Sequence, residues 1–143
     1  MSCLFDTNIL VYANNLDSPF HTSCLNLVDN ALNGRMTAYI AHQSLLEMYA
    51  VVTDKRRVEK PLTSESANGL VNFYLSAGNI NVLYPSAATF SVLEKLIADH
   101  KPLSHNIFDF VLVALMIENA ITTIHTANIR HFSNFKEITA IAP

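Results

Sequence analysis

The segment Cys3–Ala13 reads "CLFDTNILVYA", an apolar run that stops on an acid and then resumes. "CLF" has the character of a short buried strand, and "ILVYA" that of a helix starting at Thr7 or Asn8. Asp6 stands at the junction. An ionised carboxylate in apolar surroundings is costly unless it is paired or coordinates a metal. No Lys or Arg lies within four positions of Asp6, so a local ion pair does not account for it.

The same strand-then-helix pattern continues along the chain. "SPFHTSCLNLVDNALNG" predicts a helix with Ser18 as cap, Pro19 at the first helical position and Gly34 as stop. "TAYIA" reads as a strand, "SLLEMYAVVTDKRR" and "TSESANGLVNFYLSAG" as helices, and "INVLY" as a strand. "SAATFSVLEKLIADH" places Phe90, Leu93, Leu96 and Ile97 on one helical face, ended by Lys101-Pro102. "NIFDFVLVALMIEN" is apolar nearly all round and predicts a central helix. "ITTIHT" and "EITAIA" supply two last strands around a short turn or helix at "NIRHFSNF". This alternation predicts one α/β domain over residues 1–143, with a mainly parallel sheet of about four to five strands flanked by helices. Ligands of such sheets bind beyond the carboxyl ends of the strands, where Asp6 and Thr126-Ala-Asn128 both fall.

Half of the 143 residues are hydrophobic and 15% are charged, a composition suited to a packed core. The longest apolar run, Ile107–Ile117, is interrupted by Asp109 and is shorter than the roughly 20 residues of a membrane span. With no basic segment before the first apolar stretch, the expectation is a soluble cytoplasmic protein. Cys3 and Cys24 read as a reduced, packed pair. Three isolated glycines exclude the clustered-glycine loops that bind dinucleotides or nucleotide phosphates. A net charge of −3 argues against a general nucleic-acid coat, though not against an enzyme that grips nucleic acid locally.

Of twelve acids, three lie in apolar company: Asp6, Glu47 in "SLLEMYAVV" and Asp109 in "IFDFVLVALM". Each has an ordinary structural role to hand. Asp6 can cap a helix, Glu47 can close a capping box with Ser44, and Asp109 can sit in a first helical turn, favoured by the dipole. Taken jointly, all three are expected at helix beginnings on the rim where ligands bind. Carboxylates that meet there repel one another, which raises a pKa or calls for a cation. Mg²⁺ or Mn²⁺, held by oxygen ligands and retaining waters and substrate phosphates, satisfies that requirement and points to phosphodiester chemistry.

"FDTNILVYA", the acid Glu47 early in a later helix, and "FDFVLVALMIENAITTIHTANIRHF" together resemble the PIN-domain family. The chain is most similar to the VapC-type ribonuclease toxins of toxin–antitoxin pairs, over nearly its whole length. The resemblance implies a Rossmann-like three-layer fold and a metal-dependent endoribonuclease. It assigns Asp6, Glu47 and Asp109 as the acidic triad, Asn8 as a support that orients Asp6, and Thr126 as a rim residue near the metal. It also implies a cognate antitoxin that buries the active rim, and a homodimer. Two positions depart from the pattern. Asn128 stands where many members carry a fourth acid, and His131 where others carry Asp. Asn128 can lend a carbonyl oxygen to a metal but adds no charge, so weaker occupancy of a second metal is expected. His131 is expected to be a surface or packed residue, its contact with substrate left open.

For RNA binding, Lys55, Arg56 and Arg57 lie two helical turns beyond Glu47, roughly 12 Å along the axis if that helix continues. With Arg130 they are candidates for backbone phosphates, or else a solvated helix end that favours cations. Two competing expectations differ in what they predict for metal. A PIN-like module without chemistry, binding RNA or protein, draws support from the missing fourth acid. An unrelated α/β binder whose acids are all caps predicts no metal response.

Overall fold

The computed structural model describes all 143 residues. Five strands form one sheet in the order β3-β2-β1-β4-β5, every neighbouring pair parallel. The strands are β1 (Ser2–Phe5), β2 (Thr37–Ala41), β3 (Ile80–Leu83), β4 (Thr123–His125) and β5 (Thr139–Ile141). The helices are α1 (Thr7–Ala13), α2 (His21–Leu32), α3 (His42–Val52), α4 (Ser64–Ser76), α5 (Ala87–His100), α6 (Ile107–Glu118) and α7 (Ile129–Phe132). None is long and apolar enough to cross a membrane.

β1 occupies the middle of the sheet because its residues can be buried on both sides. Side chains alternate across a strand. Cys3 and Phe5 enter the core beneath α1–α4, whereas Leu4 enters the opposite core beneath α5 and α6, and all three are fully buried. A strand covered on both faces reads as a continuous apolar run rather than an alternating one, which is why "CLF" is uniformly apolar. α6 follows the same logic in helical form. Leu112, Val113, Ala114, Leu115 and Met116 are five consecutive buried residues, so more than one side of this helix is covered.

The chain order places the site. From β1 the sheet grows through β2 to β3 on one side, then resumes at β4 on the other side of β1. The crevice at such a reversal lies between the carboxyl ends of β1 and β4. Asp6 is the first residue beyond β1, its N–H bonded to the His125 carbonyl at the end of β4 (3.0 Å).

Several elements differ from the sequence expectation. α2 begins at His21, with Phe20 rather than Ser18 as its cap residue, because Ser18 Oγ accepts the Phe20 N–H in a preceding turn (3.1 Å). α3 begins at His42 and ends at Val52, earlier at both ends than expected. Ser44 is therefore inside the helix, buried and without a side-chain partner, and no Ser44–Glu47 capping box forms. Glu47 accordingly sits in the second turn rather than at the helix beginning. On α5 the core face is Thr89, Leu93 and Leu96, while Phe90 is 61% exposed and Ile97 38%. The capping box on this helix is Ser86 with Thr89, whose hydroxyls both donate to Glu118 of α6. That polar anchor draws Thr89 inward and turns Phe90 toward solvent.

Candidate active site

Asp6 caps α1 and is also the most deeply buried of the three acids, at 7% exposure. Its Oδ1 accepts the Thr7 N–H (2.7 Å), and its Oδ2 accepts the Thr126 hydroxyl (2.7 Å) and the Asn8 amide (2.9 Å). All three donors are neutral. A carboxylate has about four acceptor sites, so one lone pair remains for an outside partner. Burial raises the Asp6 pKa from its ordinary value; the hydrogen bonds from Thr126, Thr7 and Asn8 oppose that shift, and the Asp109 charge adds to it.

Asn8 ties the two strand ends together. Its Oδ1 accepts the Ala127 N–H (3.0 Å), while Thr126 Oγ1 accepts the Asn128 N–H (2.9 Å). Thr126 is fully buried, so it acts from beneath Asp6 and not from the open rim. Asn128 is exposed, lines the same cleft as Asp6, and places no side-chain bond on the α7 N-terminus.

Glu47 reaches the site from α3. Thr7 donates its hydroxyl to Glu47 Oε2 at 2.8 Å, and Gln43 Nε2 lies 3.5 Å from Oε1. Asp109 enters from the first turn of α6 and pairs through Oδ2 with His131 Nδ1 at 3.0 Å. The pKa of Glu47 is raised by burial first and then by the charges of Asp6 and Asp109, against the Thr7 bond. The pKa of Asp109 is raised by burial, with His131 and then His105 pulling it back. The three acids, distant in sequence, thus sense one another across one cleft of about 580 Å³. Asp6 and Glu47 face each other there without a salt-bridge partner.

The residue family with this layout follows from direct comparison. The PIN domain profile matches residues 3–138. The chain belongs to the PIN domain family. It is similar to ribonuclease VapC48 of Mycobacterium tuberculosis, 29% identical over 138 residues, which cover 95% of each chain. Ribonuclease VapC37 of the same organism is 27% identical over 116 residues, 81% of each chain. Among solved structures, the fold matches a chain of the VapBC2 assembly of Rickettsia felis, bound to a promoter DNA fragment. That match has a TM-score of 0.71 at 20% identity, covering 100% of this chain and 99% of that one.

The PIN fold brings Asp6, Asn8, Glu47, Asp109 and Asn128 to one cleft, with Thr126 directly below. The basic candidates separate. Arg57 lines the cleft; Lys55, Arg56 and Arg130 do not. α3 stops at Val52, and Arg56 folds back onto Asp54 (2.9 Å) in the following turn, so no continuous helical row of cations runs on from Glu47. Sequence reasoning missed Thr7, which fixes Glu47, and His105, which stands in the cleft beside Asp109. It expected a surface or packed residue at His131; that side chain is exposed and is the partner of Asp109. Thr7 carried no signal beyond its place in "DTN", His105 carried none, and His131 was marked only as a departure from the family pattern.

The donor set suits a hard divalent cation. It offers carboxylate oxygens, no thiol, and an Asp6 carboxylate with one acceptor site still free. No three His, Cys, Asp or Glu side chains stand close enough together to hold an ion by themselves, so water and substrate would have to complete its shell. Mg²⁺ uses centres of this type, with one or two protein carboxylates and the remaining positions taken by water and substrate phosphate.

Proposed function

We infer that the protein is a VapC-type endoribonuclease, the toxin of a toxin–antitoxin pair, hydrolysing RNA phosphodiester bonds with Mg²⁺ or Mn²⁺. The observation that carries this reading is the meeting of Asp6, Glu47 and Asp109 in one cleft, where burial raises all three pKa values and neighbouring carboxylate charge adds to the shift at Asp6 and Glu47. Asp6 and Asp109 would hold the cation with Glu47 and the Asn128 carbonyl oxygen at its margin. There the cation supplies polarisation of a phosphate oxygen and a lowered pKa for water.

The chain's own residues do the rest. Thr126, Asn8 and the Thr7 N–H fix the Asp6 carboxylate in one orientation. Thr7 holds Glu47 by Oε2, and Oε1, with only the long 3.5 Å contact from Gln43, accepts a proton from the attacking water. The water oxygen forms the new bond to phosphorus as the bond to the leaving ribose oxygen breaks, and solvent returns the proton to that oxygen. Arg57, at the cleft wall, binds a flanking backbone phosphate. Asn128 adds no charge where a fourth acid would, which favours one strongly held ion over two.

The partner in this reading is an antitoxin that covers the cleft. Solved relatives of the fold include the VapBC complex of Salmonella typhimurium bound to DNA and a toxin–antitoxin complex from Klebsiella pneumoniae. Exposed Leu46, Tyr84 and Phe108 give apolar area for a homodimer. A chain that cuts cellular RNA works in the cytoplasm.

The test is RNA cleavage by antitoxin-free protein with Mg²⁺ or Mn²⁺, beside EDTA and Asp6→Asn controls, together with calorimetric Mn²⁺ binding. Cleavage and binding lost in the variant are expected. Cleavage that survives either control overturns the reading.

A further inference from the structure

A second hollow, of about 390 Å³, abuts the carboxylate cleft, and Asp109 and His131 line both. Its walls come from the connection between α5 and α6, the first turn of α6 and the chain after α7. Phe110 and Phe135 meet edge to face with centroids 4.8 Å apart, and His100 packs against both at 5.7 and 5.0 Å. Around this aromatic base stand Asn106, Asn134 and Lys101. Both asparagines are exposed, and no hydrogen bond within the chain engages either side-chain amide. Lys101, at φ 51, and Ser104, at φ 55, hold the connecting segment in left-handed conformations that are uncommon outside glycine.

We propose that this hollow is the subsite for the unpaired RNA base next to the scissile phosphate. The inference rests on the ribonuclease reading and names how that same site selects its substrate. A nucleobase needs a π surface and a partner for its polar edge, and single-stranded RNA is read by that combination. His100 and Phe110 supply the aromatic surface, with the buried Phe135 packed behind them as its support. Each free amide supplies both donors and an acceptor, the complement of a base edge. Lys101 supplies positive charge for the adjoining phosphate. An apolar side chain from a protein partner would leave both amides unpaired, which disfavours that occupant. Because Asp109 and His131 belong to both cavities, a seated base brings its neighbouring phosphate to the acids, and the choice of base becomes the choice of cut site.

The test does not require cleavage. Metal-free protein labelled at side-chain amides is titrated by NMR with the trinucleotides rA₃, rC₃, rG₃ and rU₃. Saturable shifts of the Asn106 and Asn134 amides are expected, with one trinucleotide binding about tenfold more tightly than the weakest. Replacing both residues by alanine (N106A, N134A) should abolish that preference at unchanged Tm, since neither is packed in the core. In cleavage of a randomised RNA pool, the same double variant should lose base preference at one position beside the cut. The proposal is overturned if no trinucleotide shifts these amides, if the double variant retains the preference, or if an antitoxin peptide fills the hollow while nucleotides do not. Loss of all wild-type cleavage would instead sink the ribonuclease reading and leave the titration to judge the hollow by itself.

Discussion

Thr126 donates its hydroxyl to Asp6 Oδ2 at 2.7 Å, joining residues 120 positions apart at the carboxyl ends of neighbouring strands. Thr126 is fully buried, so water cannot replace the bond. Thr126→Val removes the donor at nearly constant volume and leaves Asp6 under-satisfied. That change should cost about 1–3 kcal/mol of stability and reduce cleavage by tenfold or more. Thr126→Ser should restore most of both. Urea unfolding and initial rates of the three proteins check this. A valine variant that cuts at the wild-type rate would remove Thr126 from the positioning of Asp6.

Asp6, Glu47 and Asp109 should make the metal-free protein lose stability as pH rises. Each carboxyl is more basic in the folded state than its ordinary 3.8 or 4.5. From those ordinary values up to the raised folded values, the folded state binds more protons than the unfolded state, so stability falls through that window. The destabilisation is then fully present above the folded pKa values. Asp6→Asn should remove part of that slope and be more stable than wild type near neutrality, while binding Mn²⁺ poorly. Unfolding of both proteins as a function of pH decides it. A constant difference across the pH range would mean that Asp6 titrates normally.

His131 should set where Asp109 titrates. Burial pushes that carboxyl up, and the imidazole 3.0 Å away is the largest influence in the other direction. In metal-free His131→Gln, the Asp109 carboxyl should therefore titrate at higher pH than in wild type. Carboxyl ¹³C NMR reads the shift directly. An unchanged Asp109 titration would leave the pair as a geometric contact only.

Arg57 and Arg56 should behave differently despite being adjacent. Arg57 lines the cleft, whereas Arg56 is committed to Asp54 and lies outside it. Arg57→Ala should weaken RNA binding and lower the salt slope by about 0.7, the value for one single-strand phosphate contact. Arg56→Ala should leave both unchanged. Equal losses in the two variants would point to a diffuse electrostatic effect over the whole turn.

The sequence by itself determined the layer architecture and the identity of the three acids. "CLF" and "FVLVALM" are apolar on every side, so each had to be covered on both faces, and that requirement specifies a central strand and a central helix. The acids stood out because solvation cannot explain a carboxylate among such neighbours. Contacts between remote side chains were decided only by the tertiary structure. Thr7 meets Glu47 across 40 residues and His131 meets Asp109 across 22, and no local spacing encodes either pair. The end of α3 at Val52 likewise depended on the turn that Asp54 makes with Arg56, which left Arg57 as the cation of that trio at the cleft. Burial pattern is a property of one segment and its period, whereas hydrogen-bond geometry is a property of two segments once the sheet has set their distance.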